Sequence, residues 1–138
     1  MTAKTNTIDA IGAVIFDVDG VLLDSREANI AWYRAFLAQH GYANIREDVL
    51  AQGHHMNLRQ AIAFMTQAPA QRVTELWQIA RALEGYPDHL LRIPQGCRET
   101  LEALSQSYPL AIVTGRAREG INQFFAFSAP EATLRRLC

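Results

Sequence analysis

Lysine is all but missing from this sequence: twelve of its thirteen basic residues are arginine, and the one lysine is Lys4. Aspartate stops at Asp88, and beyond Thr114 the acids are Glu119 and Glu131 alone. A site needing a lysine amine or a late aspartate cannot draw either from the residues beyond Asp88. Cysteine is scarce too: Cys97 and Cys138 make neither a disulfide framework nor a metal cluster. Long apolar runs are absent, "AIGAVIF" being too short to span a bilayer. The leading "MTAKTNTIDAIGAV" has one lysine, an early Asp9 and no apolar signal core. These absences imply a cytoplasmic, reducing address. A net charge of -1 gives no electrostatic footprint for nucleic acid or an anionic membrane, so neither is expected as a partner.

What is present is the composition of a globular protein, 49% apolar and 20% charged. The length fits one domain, or a small core with an insertion. "IGAVIF" (11–16) reads as a buried strand, short and continuously apolar between Asp9 and Asp17. After "GVLL", Asp24 or Ser25 can cap a helix start. "REANIAWYRAFLAQHGY" then carries Ile30, Tyr33, Phe36 and Leu37 near helical spacing, with Gly41 as its stop. A short helix ends near Gly53, and another starts from Asn57. Pro69 breaks the pattern before "AQRVTELWQIARALEGY", whose Val73, Leu76, Trp77, Ala80 and Leu83 share a face that Gly85 and Pro87 close. Past "RIPQG" come a helix with Leu101 and Leu104, a buried strand from Leu110 to Val113, and a helix over "AREGINQFFAF". Two strands separated by helices predict an α/β parallel sheet. The long helical block between them is an insertion, giving a partial core over 1–23 and 92–138 and a helical cap over 24–91.

Ligands collect beyond the carboxyl ends of parallel strands. Asp17 and Asp19 stand there, and period-two alternation turns both toward one side. Two such carboxylates repel unless something positive or a shared proton offsets them. A hard cation held with a phosphate would do so. A bare Asp-x-Asp is more often a pair of turn acids; here the whole string, with Gly20 permitting a tight turn, sets this pair apart.

"VIFDVDGVLLDS" resembles the first motif of the haloacid dehalogenase (HAD) superfamily of phosphohydrolases. "LAIVTGR" resembles the second motif, and "RIPQGCRETLEAL" the helical return that precedes it. The helical block is similar to the small cap of the phosphoglycolate phosphatase and β-phosphoglucomutase-like branch. The resemblance implies an incomplete HAD-like Rossmannoid core and a small phosphorylated metabolite as substrate. It makes Asp17 the nucleophile that forms an aspartyl-phosphate, and Asp19 the general acid/base. It also implies Mg2+ held by Asp17 and the Asp19 main-chain carbonyl. Thr114 and the Gly115 N–H would hold the phosphoryl oxygens, although a Thr before Gly also suits a helix cap. Arg116 could touch phosphate or stand as a solvated first-turn residue.

Other parts of the superfamily's pattern are missing: a lysine or arginine after a third strand, and acids after a fourth. The closing "SAPEATLRRLC" abandons the strand pattern, which suggests a truncated or frame-shifted phosphatase; the same residues also suit a terminal helix begun by Ser128 or Pro130. Activity of this form is expected to be weak or absent, and the exposed sheet edge to invite self-association. The alternatives are a non-catalytic binding module and a phosphosugar mutase. In the cap, "GHHMNLR" offers His54, His55, Asn57 and Arg59 as readers of the leaving group, or as a merely solvated loop. Trp32, Trp77, Phe36 and Phe64 read as core filling, and Cys97 as structural.

Overall fold

The computed structural model describes residues 11–128; the tail reading past Ser128 falls outside the described residues. Strand β1 (Val14–Phe16) leads into four helices, α1 (Arg26–Gln39), α2 (Glu47–Gly53), α3 (Leu58–Thr66) and α4 (Ala70–Ala80). A 3-10 turn, Asp88–Leu90, then precedes α5 (Cys97–Ser105), β2 (Leu110–Ile112) and α6 (Arg118–Ser128).

The strands pair in parallel, Val14 with Leu110, Ile15 with Ala111 and Phe16 with Ile112. Val14 N–H donates to Pro109 O and Val113 N–H to Phe16 O, at 3.0 and 2.9 Å. The ladder is half the length expected over 11–16, because a strand extends only as far as its partner. Nor is β1 buried on both faces. Val14 and Phe16 are half-buried, whereas Ile15 is 64% exposed and Val113, just past β2, is 66% exposed. Among the described residues, helices cover one face of this sheet and leave the other bare.

Two apolar clusters organise the molecule. The sheet side gathers Val18, Leu22, Leu23, Ala28, Leu91, Leu101 and Phe124, with Phe16, Leu110 and Ile112 packed against them. The helical block gathers Trp32, Phe36, Leu37, Leu50, Ile62, Val73 and Leu76 among others. The Trp32 and Phe36 rings stack 5.0 Å apart, filling the core as expected, with Trp77 and Phe64 half-buried against it. Tyr86 touches both clusters. The chain leaves the sheet side at Asp24 and returns at Arg92, where the two backbones exchange hydrogen bonds of 2.7 and 3.1 Å.

Three end signals behave as read. Gly41 takes φ +93° just past α1, where an L-residue would be strained. Asn57 caps α3, its Oδ1 accepting from Gln60 N–H at 3.0 Å. Pro69 precedes α4 as its N-cap. Two others do not. α4 stops at Ala80 and Leu83 adopts φ +51°, so Leu83 is no longer on its face. Ser25 occupies the N-cap of α1 but makes no capping bond, because its hydroxyl is used elsewhere.

Candidate active site

β1 ends at Phe16, and the chain folds back at once. The N–H groups of Val21, Leu22 and Leu23 all donate to Val18 O, at 3.2, 2.9 and 2.9 Å. Gly20 turns this corner with φ +77°, the left-handed conformation its missing side chain allows. The turn buries Val18 completely and leaves Asp17 and Asp19 on either side of it. Asp17 is exposed, and among the described residues its Oδ1 takes the neighbouring Val18 N–H at 2.7 Å.

Asp19 has a different environment. Arg116 Nε donates to its Oδ2 at 2.8 Å and Arg116 Nη2 to its Oδ1 at 2.6 Å. The Ser25 hydroxyl donates to the same Oδ1. Burial would push this carboxyl up, but the Arg116 bonds and charge, with Ser25, outweigh it and hold the group below the usual carboxylate range. Arg116 was expected on a phosphate or in solvent; instead its side chain is 10% exposed and committed to Asp19. A guanidinium fork matches a carboxylate edge, which is why the nearest acid captures it.

A cleft of about 240 Å3 is lined by Asp17, Asp19, Gly20, His54, His55 and Gly115. It draws together the loops after both strands and the end of α2. Thr114 sits beside it, its Oγ1 accepting from Arg116 N–H at 3.1 Å and so shaping the turn that presents Gly115. Asn57 and Arg59 are engaged elsewhere: Asn57 caps α3, while Arg59 donates to Thr74 Oγ1 at 3.1 Å and lies over the Trp77 ring. Of the cap residues singled out, only the two histidines reach this cleft.

Next to it lies a smaller cavity of about 100 Å3, walled by Asn29, Trp32, Tyr33, Leu83, Tyr86 and Arg116 and sharing Asp19 and Gly115 with the cleft. Asn29 Nδ2 lies 3.0 Å from His54 Nδ1, and the Tyr86 hydroxyl donates to Asn29 Oδ1 at 2.5 Å. Burial, aided by His55, holds the His54 imidazole below its usual value against the pull of Asp19. Burial also pushes the Tyr86 phenol up to about 12. Ser25, Asn29 and Tyr86 were not read as site residues. The first two stand four apart on one helical edge, which was the available signal; nothing local marks Tyr86.

For magnesium, the donors are right in kind. Asp17 and the Asp19 carbonyl are hard oxygens, and magnesium takes much of its shell from water and phosphate. They are few in number: among the described residues no group of three or more His, Cys, Asp or Glu is placed to hold a metal ion. Cys97 contributes nothing to the site; its Sγ lies 4.0 Å from Leu22 O, and burial pushes its thiol up. No helix among the described residues is long and apolar enough to cross a membrane.

Comparison with known proteins places this cleft in context. A family model described as haloacid dehalogenase-like hydrolase matches residues 14–130. No curated protein matches the chain. Among solved structures, a protein assigned as a haloacid dehalogenase-like hydrolase from Bacteroides fragilis superposes with a TM-score of 0.75 at 21% identity, covering 89% of this chain and 60% of its own. One from Lactobacillus plantarum, assigned as a phosphoglycolate phosphatase, gives 0.74 at 22%, covering 91% and 58%. A third from Thermotoga maritima, assigned as a β-phosphoglucomutase, gives 0.50 at 26%, covering 92% and 56%. This chain therefore spans about 60% of the length of the solved structures it matches.

Proposed function

The chain belongs to the haloacid dehalogenase-like hydrolase family, and on that premise we propose that its cleft hydrolyses a small phosphorylated metabolite through an aspartyl-phosphate on Asp17. One observation carries the reading: Asp17, Asp19 and Gly115, from the ends of two parallel strands, meet in one cleft beneath His54. Exposure suits Asp17 to attack, since its second oxygen faces a phosphorus without first leaving a buried pair. An Asp17 oxygen forms the new bond to phosphorus while the ester P–O bond breaks, and Asp19, entering this step protonated, gives its proton to the departing oxygen so that the alcohol leaves. Water then attacks the aspartyl-phosphate, Asp19 taking its proton, and inorganic phosphate departs. In this reading the Gly115 N–H and the Thr114 hydroxyl hold phosphoryl oxygens. Magnesium, held by Asp17 and the Asp19 carbonyl, would offset the repulsion between carboxylate and phosphate.

The Arg116 fork supports low activity, because Asp19 must loosen a charge-assisted pair before it can exchange protons. The helical block 24–91 serves as the cap, hinged where Asp24 meets Arg92. The setting is cytoplasmic, and the exposed sheet edge, beside the bare face that carries Ile15 and Val113, serves for self-association. A phosphosugar mutase is the second reading, favoured by the 26% identity to the Thermotoga maritima protein; there a sugar hydroxyl replaces water as acceptor.

The test is turnover of an aryl phosphate by this chain, with magnesium and with chelator, beside Asp17→Asn. Magnesium-dependent turnover that disappears in the variant supports the reading. A folded, monodisperse sample without turnover rejects it for this chain and favours a binding module.

A further inference from the structure

A run of hydrogen bonds leaves Asp19 and passes through groups that take no part in the phosphoryl transfer, and its direction can be assigned link by link. The Arg116 guanidinium only donates, so both Asp19 oxygens accept. Ser25 has one hydroxyl hydrogen, and that goes to Asp19 Oδ1. The Ser25 oxygen is left to accept, and Asn29 Nδ2 reaches it at 3.4 Å. That contact orients the Asn29 amide, with nitrogen toward Ser25 and Oδ1 toward the donating Tyr86 hydroxyl. A flipped amide would set its oxygen against a Ser25 oxygen that has no hydrogen to give. The other hydrogen on Nδ2 then points to His54 Nδ1, 3.0 Å away. An amide NH2 cannot accept, so Nδ1 of His54 carries a lone pair and the ring bears its hydrogen on Nε2.

We propose that Asn29 is a positioning residue that fixes His54 as the neutral Nε2–H tautomer in the Asp17–Asp19 cleft, where it is an uncharged hydrogen-bond donor to an oxygen of the bound phosphate ester. The tautomer follows from the geometry alone, while the identity of the acceptor rests on the phosphohydrolase reading. Protonating Nδ1 would set its hydrogen against those of Asn29, so the clasp works against the cation as well as against the other tautomer. Sites of this kind depend on such outer partners to hold a ring in its working orientation.

Long-range 1H–15N spectra of the ring-labelled chain test this without any turnover. In the wild type, His54 Nδ1 is expected at a pyridine-like shift and Nε2 at a pyrrole-like one. Asn29→Asp, nearly isosteric but offering a carboxylate oxygen, is expected to abolish the pyridine-like Nδ1 signal. A pyrrole-like Nδ1 in the wild type overturns the proposal even if the variant does not fold, as does an unchanged pattern in a folded variant. Inorganic phosphate then probes the donor role, and both the Gly115 amide and the His54 Nε2–H are expected to shift. A Gly115 response without a His54 response overturns that role. Absence of both rejects the phosphate-site reading and the donor role with it, leaving the tautomer to be decided by the ligand-free spectra.

Discussion

Arg116 closes on both oxygens of Asp19, at 2.8 and 2.6 Å, joining the loop after β1 to the loop after β2 across 97 residues of chain. Removing one partner of such a pair leaves the other charge partly buried and uncompensated. Arg116→Met is therefore expected to cost about 3 kcal/mol, a figure kept modest because the Asp19 side chain is 29% exposed. Arg116→Lys should recover part of that, keeping the charge but losing the planar fork. Urea denaturation midpoints decide it; equal midpoints for wild type and Arg116→Met would mean that water already solvates Asp19.

Asp17 offers the contrasting case. It is exposed and, among the described residues, bonded to its own neighbour alone, so Asp17→Asn should change stability by no more than about 0.5 kcal/mol. The same variant should remove magnesium-dependent aryl phosphate turnover. Calorimetry beside a phosphate-release assay separates the two effects, and a large loss of Tm would show that Asp17 supports the fold.

Acid should destabilise the protein in two stages. His54 has a folded-state value below the usual one near 6.5. The unfolded chain therefore binds its proton first, and stability is lost as pH falls from about 6.5 toward that lower value. Asp19 has the same sign, because its depressed carboxyl contributes stability above a pH of about 4 that drains away on further acidification. Denaturation midpoints measured from pH 8 to 3 should thus fall on both limbs. Asn29→Leu should shrink the upper limb if the lost clasp lets the His54 ring turn and take its proton more readily.

Ile15 and Val113 share the uncovered side of the sheet, since Val113 lies two residues past Ala111, the partner of Ile15. Parallel strands ordinarily have both faces covered. Light scattering of the wild type is expected to show a mass rising with concentration. Ile15→Glu should hold it at one chain while leaving thermal stability within about 0.5 kcal/mol. A wild type that stays monomeric at high concentration would reject self-association through this face.

Much of this arrangement was legible locally. Asn57, Pro69 and Gly41 mark helix ends because a cap, a missing N–H and a left-handed turn are decided by one or two residues. Asp17, Gly20 and Asp19 were legible because a six-residue turn contains its own reason. Arg116 was not, since its partner lies 97 residues away and sequence spacing cannot tell a solvated arginine from one captured by a carboxylate. Ser25 misled for a related reason: as a helix cap it competes with Asp19 for one hydrogen, and the charged acceptor wins. The exposure of Ile15 was hidden too, because a continuous apolar run looks the same whether one face or two are covered.

The separation between the loops has a consequence for the order in which the molecule assembles. α1 to α4 pack largely on their neighbours in the chain, contacts that close quickly. The β1–β2 pairing and the Asp19–Arg116 fork must close a loop of nearly a hundred residues, which adds an entropic cost and slows folding. The helical block is thus expected to organise before the cleft does. Core variants such as Leu50→Ala would then slow refolding, whereas Arg116 variants would chiefly hasten unfolding. The two loops that frame the cleft are expected to meet last, and in the reverse direction to be the first to part.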